Sequence, residues 1–354
     1  MNRAWKRWVP AGVVAAVIAS AAIAVPLTAS AAVDLPAKTP QQVLALLAQS
    51  HVASLSGTIE QTSNLGLPQL PTTGTGSDSV ASSALSLLSS SYTARVYLDG
   101  PTKARAQVMD KLAERDVIRN GSDVWLYSSR DNTAIHSTLP AQTNKRPGST
   151  TGEAKTPGEL ATKLLAAVDS TTTVSVGNDT RVAGRTAYDL VLTPRATDTL
   201  IGSVSIAVDS ETGLPLSVEL AARGQKDPAF SVAFSSLTLA APSADVFSFT
   251  PPAGAKVKEQ AMPTHQGATK PLRPESGAVK PSVIGSGWDS VLSMPAGTET
   301  AKLTSSPLFG KLTTAVTGGH LFHTALVNVF VTNDGRVFAG SVPVERLQAV
   351  AAAP

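Results

Sequence analysis

The side chains best suited to chemistry in this chain are five histidines, His51, His136, His265, His320 and His323, and no cysteine accompanies them. Only His320 and His323 are close together, and a metal centre needs a third ligand in a held geometry. The pair therefore reads as partly exposed residues near the start of a strand. The missing thiol excludes a Cys nucleophile, thiolate metal sites, a disulfide framework and the lipid-modified cysteine of a bacterial lipoprotein. Glu114 and Asp116 could in principle share acid and base roles, but they lie in or beside a turn, where a solvated loop accounts for them. Gly310-Lys311 is followed by Leu312, which cannot supply the hydroxyl a phosphate cradle lends to magnesium. No nucleophile elbow and no dinucleotide fingerprint occurs. The expectation is a binding protein with no catalytic residues, no bound metal and no cofactor, and hence not an enzyme.

What the chain does instead must be read from the elements that would position a ligand. Its 354 residues allow one sizeable domain and a smaller appendage. The net charge is only +3, and Arg3, Lys6 and Arg7 carry part of it, so no dense basic face is left to neutralise phosphates and nucleic acid is excluded as a partner. Those cations, the small-apolar run Val9 to Leu27 and the small residues Ala29-Ser30-Ala31 form the pattern of a secretory signal, here residues 1–31. The alternative is a retained anchor, because the run approaches the roughly 20 residues that span a bilayer. Either way the remainder is expected outside the cytoplasm, in the cell envelope or secreted.

Thr39-Pro40 starts an expected helix over Gln41 to Gln49, since threonine caps a free backbone N–H and proline lacks the donor that would be wasted in the first turn. Thr156-Pro157, with Glu159 completing a capping box, starts a second. Asp78 precedes a weaker third, Val80 to Leu88, behind a Gly/Pro/Thr-rich loop at Leu65 to Gly76.

Most of the rest alternates with period two, as half-buried antiparallel strands must. Val96 and Leu98, then Val108, lie on one-sided strands, and Asn120-Gly121 reads as a hairpin turn before Trp125 and Tyr127. Leu190 and Leu192 continue the pattern, followed by Val204, Ile206 and Val208, by Leu214, Leu216 and Val218 after the Gly213 turn, and by Phe230, Val232 and Phe234. The fold class is therefore α+β: a curved antiparallel sheet with too few helices to cover its apolar face tightly, so that a hollow remains. All the strand residues just named are expected to face it and to line a hydrophobic cavity. For Trp125 and Tyr127 the alternative is an ordinary strand aromatic filling the core or the outer face.

The main domain, 33–253, is expected to end at Phe247-Ser-Phe-Thr-Pro-Pro252, where paired prolines stop a ladder. Residues 254–287, with several lysines and prolines, read as a linker, and 288–354 as a small module with a hairpin at about 326–342, turning at Asn333-Asp334-Gly335.

The stretch Asp189-Leu-Val-Leu-Thr-Pro194, Val204 to Asp209, Thr212-Gly-Leu-Pro-Leu216, Val232 to Leu237 and Phe247 to Gly254 resembles the second half of the LolA lipoprotein carriers and their relatives, among them the sigma-E regulatory protein RseB. Gly57 to Gln61 and Arg119 to Tyr127 resemble the first half. The resemblance implies a half-barrel of antiparallel strands with helices over its concave face and a cavity for lipid or lipoprotein acyl chains. It also keeps open a sensor of the RseB kind, in which the C-terminal module contacts a membrane-bound envelope protein. A ligand-free cell-wall module is the third reading.

Overall fold

Side chains of a strand leave its two faces alternately, so a meander with one apolar face must find a cover for it. The computed structural model describes residues 34–66, 90–110, 113–139, 156–166, 170–260, 281–297, 301, 304 and 309–353. The expected signal and the helix at 80–88 lie outside them, as does most of the loop before that helix.

Helix α1 is Pro40–Ala48. Thr39 caps it as expected, and Gln42 reaches back to the Thr39 N–H at 2.8 Å, completing a capping box the sequence reading missed. A first meander follows: β1 Ser54–Ser63, β2 Tyr92–Asp99, β3 Lys103–Asp110, β4 Ala113–Asn120, β5 Asp123–Ser128 and β6 Thr133–Thr138. Then come α2, Pro157–Ala166, and β7 Thr172–Val176, β8 Thr180–Val182, β9 Arg185–Pro194, β10 Ile201–Asp209, β11 Pro215–Ala222 and β12 Pro228–Thr238. Strand β1 pairs with β12, so two meanders merge in one sheet which, with β13 at Lys256–Glu259, has the order β13-β6-β5-β4-β3-β2-β1-β12-β11-β10-β9-β7, with β8 on β9. It is an antiparallel-rich sheet with few helices, an α+β protein. Among the described residues no helix is long and apolar enough to cross a membrane.

Two expectations need correction. Asn120 pairs with Asp123, so the β4–β5 turn is Gly121-Ser122, one residue later than read, with Gly121 supplying the positive φ of 64°. The segment read as a linker is not free from its start. Lys256–Glu259 forms β13, which runs parallel to β6 and satisfies backbone groups that an edge strand would leave bare.

A second sheet has the order β14-β15-β19-β18-β17-β16: β14 Ser282–Ile284, β15 Val291–Met294, β16 Thr314–Val316, β17 Gly319–His323, β18 Asn328–Thr332 and β19 Val337–Gly340. The short helix α3, Phe309–Leu312, precedes β16, and α4, Val344–Ala352, buries Leu347 and Val350 against Val291, Phe330 and Phe338. Residues Leu35–Pro354 are one unit. Trp288 Nε1 donates to Thr172 Oγ1 at 2.8 Å, the Leu200 N–H donates to the Ser341 carbonyl at 2.7 Å, and Leu326 is buried in the main core.

The β10–β11 turn is held electrostatically. Arg185 binds Asp209 through two N–H groups at 2.8 and 2.9 Å, and Thr212 donates its N–H to the same carboxylate. Next to it Gly213 has φ of 71° and faces α1 so closely that a Cβ would meet the Leu46 carbonyl oxygen. Burial alone would raise the Asp209 carboxyl, but the hydrogen bonds from Arg185 and Thr212 outweigh it and hold it below its ordinary value. A depressed carboxyl contributes stability above its unfolded pKa and loses it as pH falls. Asp209→Asn should therefore cost roughly 2–3 kcal/mol at pH 7 in urea unfolding, and the gap to the parent should shrink as pH drops below about 3.9.

Candidate functional site

Residues directly opposite on paired strands share a face, so the register assigns every expected lining residue to one side of the main sheet. On β1, Gly57 and Ile59 lie opposite Val96 and Ala94, and Ile59 also lies opposite Phe234. From Phe234 the same side continues along β12 to Val232, then across to Val218, Ile206 and Leu190. This is the core face. The apolar stripes of α1 and α2 close it over β7, β9, β11 and β12, with Val43 and Ala161 buried.

Under those helices the expected hollow is filled. Leu190, Leu192, Val204, Ile206, Val208, Leu216 and Val218 all have 0% exposure. A side chain with no accessible surface borders no void that a water could enter, so these seven are core and line no cavity in this state. Val232, Phe234, Phe230 and Val96 are buried beside them, with Leu214 and Leu98 half-buried against the cluster. Val108 is buried in a separate contact with Ala94 and Tyr92.

Trp125 and Tyr127 are on the other side. Trp125 lies opposite Ile118, which lies opposite Arg105 and then Tyr97, whereas Val96 lies opposite Ala106. The two aromatics pack outside the core face, against the segment that follows β12. Phe249 sits 5.4 Å from the Trp125 ring and 5.7 Å from that of Tyr127, and His136 stacks on Trp125 at 4.3 Å. Phe247, in a 3-10 turn at Ala244–Phe247, is buried on the same side, and Arg105 donates to the Val246 carbonyl at 3.0 Å. Arg105 also grips Asp116 with two nitrogens, at 3.0 and 2.5 Å. Burial raises the Asp116 carboxyl and the Arg105 hydrogen bonds only partly offset this, so Asp116 is a buried ion-pair partner and not a solvated loop acid as read. The Phe247 to Pro252 stretch thus straps the polar face of the β3–β6 wing. His136 holds its continuation, with Nδ1 2.9 Å from Glu259 and Nε2 3.1 Å from Asp123.

On the β2–β6 wing the core face keeps accessible surface along one row. Val96, Ala106, Val117, Leu126 and Ile135 lie directly opposite one another in a row over five strands, and all but Val96 are half-buried. Four inter-strand spacings make this row roughly 19 Å long. The sequence reading missed Ala106, Val117, Leu126 and Ile135. In β5 both alternating sets, Val124/Leu126 and Trp125/Tyr127, are apolar, and the larger pair drew the assignment. Among the described residues no three His, Asp or Glu side chains converge in a metal-binding group.

Residues 80–264, just over half of the chain, match the model of the MucB/RseB N-terminal domain family. Among solved structures, the MucA/MucB complex of Pseudomonas aeruginosa is 19% identical, covering 88% of this chain and 96% of that one with a TM-score of 0.42. A LolA superfamily protein from Nitrosomonas europaea is 13% identical over 60% of this chain and 99% of its own, TM-score 0.23. A putative outer membrane lipoprotein-sorting protein domain from Vibrio parahaemolyticus is 12% identical over 56% and 91%, TM-score 0.20. No curated protein matches the chain.

If Trp125 anchors the strap, Trp125→Ala should lower unfolding free energy by about 2 kcal/mol, less than the 3–5 kcal/mol of a fully buried site because the ring is half-buried. Amide exchange should rise at Phe247 to Glu259 and stay unchanged in β9 to β12.

Proposed function

The chain belongs to the MucB/RseB N-terminal domain family, and on that premise we propose that it is a non-enzymatic extracytoplasmic protein that binds the acyl chains of lipids or lipoproteins. In this reading the main sheet, residues 33–253, is a half-barrel with its core face concave. The ligand lies along Val96, Ala106, Val117, Leu126 and Ile135, the observation that carries the proposal. Such a row has the length and chemistry for an extended hydrocarbon, whose burial is worth about 0.8 kcal/mol per CH₂ without any polar contact. The filled half under α1 and α2 supplies stability, and the wing supplies the site.

Leu126→Asp, alone and with Val117→Asp, should weaken binding of a fluorescent fatty-acyl probe at least tenfold while circular dichroism stays that of the parent. Trp125→Ala, on the other face, should leave probe affinity unchanged. A parent protein that ignores the probe and carries no extractable lipid would end this reading in favour of a ligand-free cell-wall module.

A second reading, a sensor that regulates an extracytoplasmic sigma/anti-sigma system, is favoured by the second sheet. Its Val283 and Leu292 lie directly opposite each other, are 66% and 38% exposed, and face away from α4. Exposed paired apolar residues suit docking of an envelope protein. Substituting both by Asp should abolish capture of a membrane partner from envelope extracts and leave acyl-probe binding intact. Unchanged capture would remove the second sheet from that role.

A further inference from the structure

The polar face of the main sheet carries a cleft, independent of the acyl-binding reading, under the arm formed by β8 and the turn into β9. Its floor is a cross-strand row of small residues. Glu60 on β1 lies opposite Ala233 on β12, and Ala233 opposite Ser217 on β11. Between the arm and these side chains a space of about 320 Å³ remains, with Val182 and Ala183 in its walls. At about 30 Å³ per water that is room for roughly ten waters, too large for a bare metal ion and at the lower end for an organic ligand.

Three observations indicate what would occupy it. Glu60 and Glu219 both line the cleft, and neither has an ion-pair partner among the described residues. Ser217 also lines it, is only 6% exposed, and makes no side-chain hydrogen bond among the described residues. Asp189, one strand beyond Ser205, adds to the negative field: burial and the nearby Glu219 charge push its carboxyl up to about 6, partly offset by a hydrogen bond from Ser205. The one cation in the lining, Arg181, donates to the Gly184 carbonyl at 2.9 Å and pairs with no carboxylate among the described residues.

We propose that this cleft binds a small organic ammonium ion, its charge between Glu60 and Glu219, its N–H groups reaching Ser217 and its short carbon chain against Val182 and Ala183. Carboxylates that no side chain pairs among the described residues, a hydroxyl beside them and an apolar wall together select such a ligand over an anion or a lipid.

The test is titration of the intact, isotope-labelled protein with cadaverine, followed by amide shifts, with n-pentanol as the neutral comparator. Saturable shifts at Glu60, Ser217, Glu219 and Arg181, with a Kd of about 1 mM, are expected for a site this small. Glu60→Gln with Glu219→Gln should weaken cadaverine at least tenfold, and Ser217→Ala severalfold. The two glutamates reach solvent, so the glutamine variant should keep the parental spectrum elsewhere. Absence of saturable shifts at these amides, equal binding of n-pentanol, or undiminished binding by the double glutamine variant would each overturn the proposal.

Discussion

Pairing of β1 with β12 is the constraint on which the rest depends. Within each meander most strands pair with their neighbours in the chain, but β1 meets β12 across more than 160 residues, Thr58 opposite Ser236 and Ser63 opposite Phe230. That contact needs a small residue. A Cβ on Gly57 would stand 2.6 Å from the Ser236 carbonyl oxygen and 3.0 Å from the Phe234 ring. It also needs a bulge between Thr58 and Ile59, which keeps Ile59 on the buried side after the register shifts. Once the two meanders share a ladder, every residue's parity is set over twelve successive strands, and a slip of one residue would exchange the two faces.

The consequence is a division of labour along one sheet. Over β9 to β12 the core face meets α1 and α2 and most of its apolar side chains are fully buried. Over β2 to β6 the same face keeps apolar surface, and the polar face is the one strapped, by Phe247, Phe249 and β13. The wing is thus supported from behind by the strap, which leaves its apolar front to meet a ligand. The second sheet is fastened at the other end, through Thr172, Thr199 and Leu200, so its attachment does not use the wing.

Polar groups follow the same logic. Two buried acids are gripped at two points, Asp116 by Arg105 and Asp209 by Arg185, and both pairs sit at chain crossings where a backbone segment must be held. The acids around the β8 arm, Glu60 and Glu219, are not paired in that way, which separates them from the structural ion pairs.

Much of the local structure was legible in the residues. Helices begin at Pro40 and Pro157, where proline fits the first turn, and Thr39 adds a short-range capping hydrogen bond; the glycines at 121, 213 and 335 take positive φ in their turns. Period-two alternation identified the strands and, for Leu190, Val204, Ile206 and Val218, the buried side. What alternation could not decide was which set faces inward where both are apolar, as in β5. Trp125 and Leu126 are equally strand-like, and only the ladder through Ile118 and Val117 to β1 tells them apart. Nor could sequence show that Lys256 to Glu259 would join an edge, that Leu326 would enter the main core, or that seven of the residues expected to border a hollow would have no accessible surface. These are long-range outcomes: they depend on which chain segment happens to cover which face, and that is set only when the whole sheet has closed on its register.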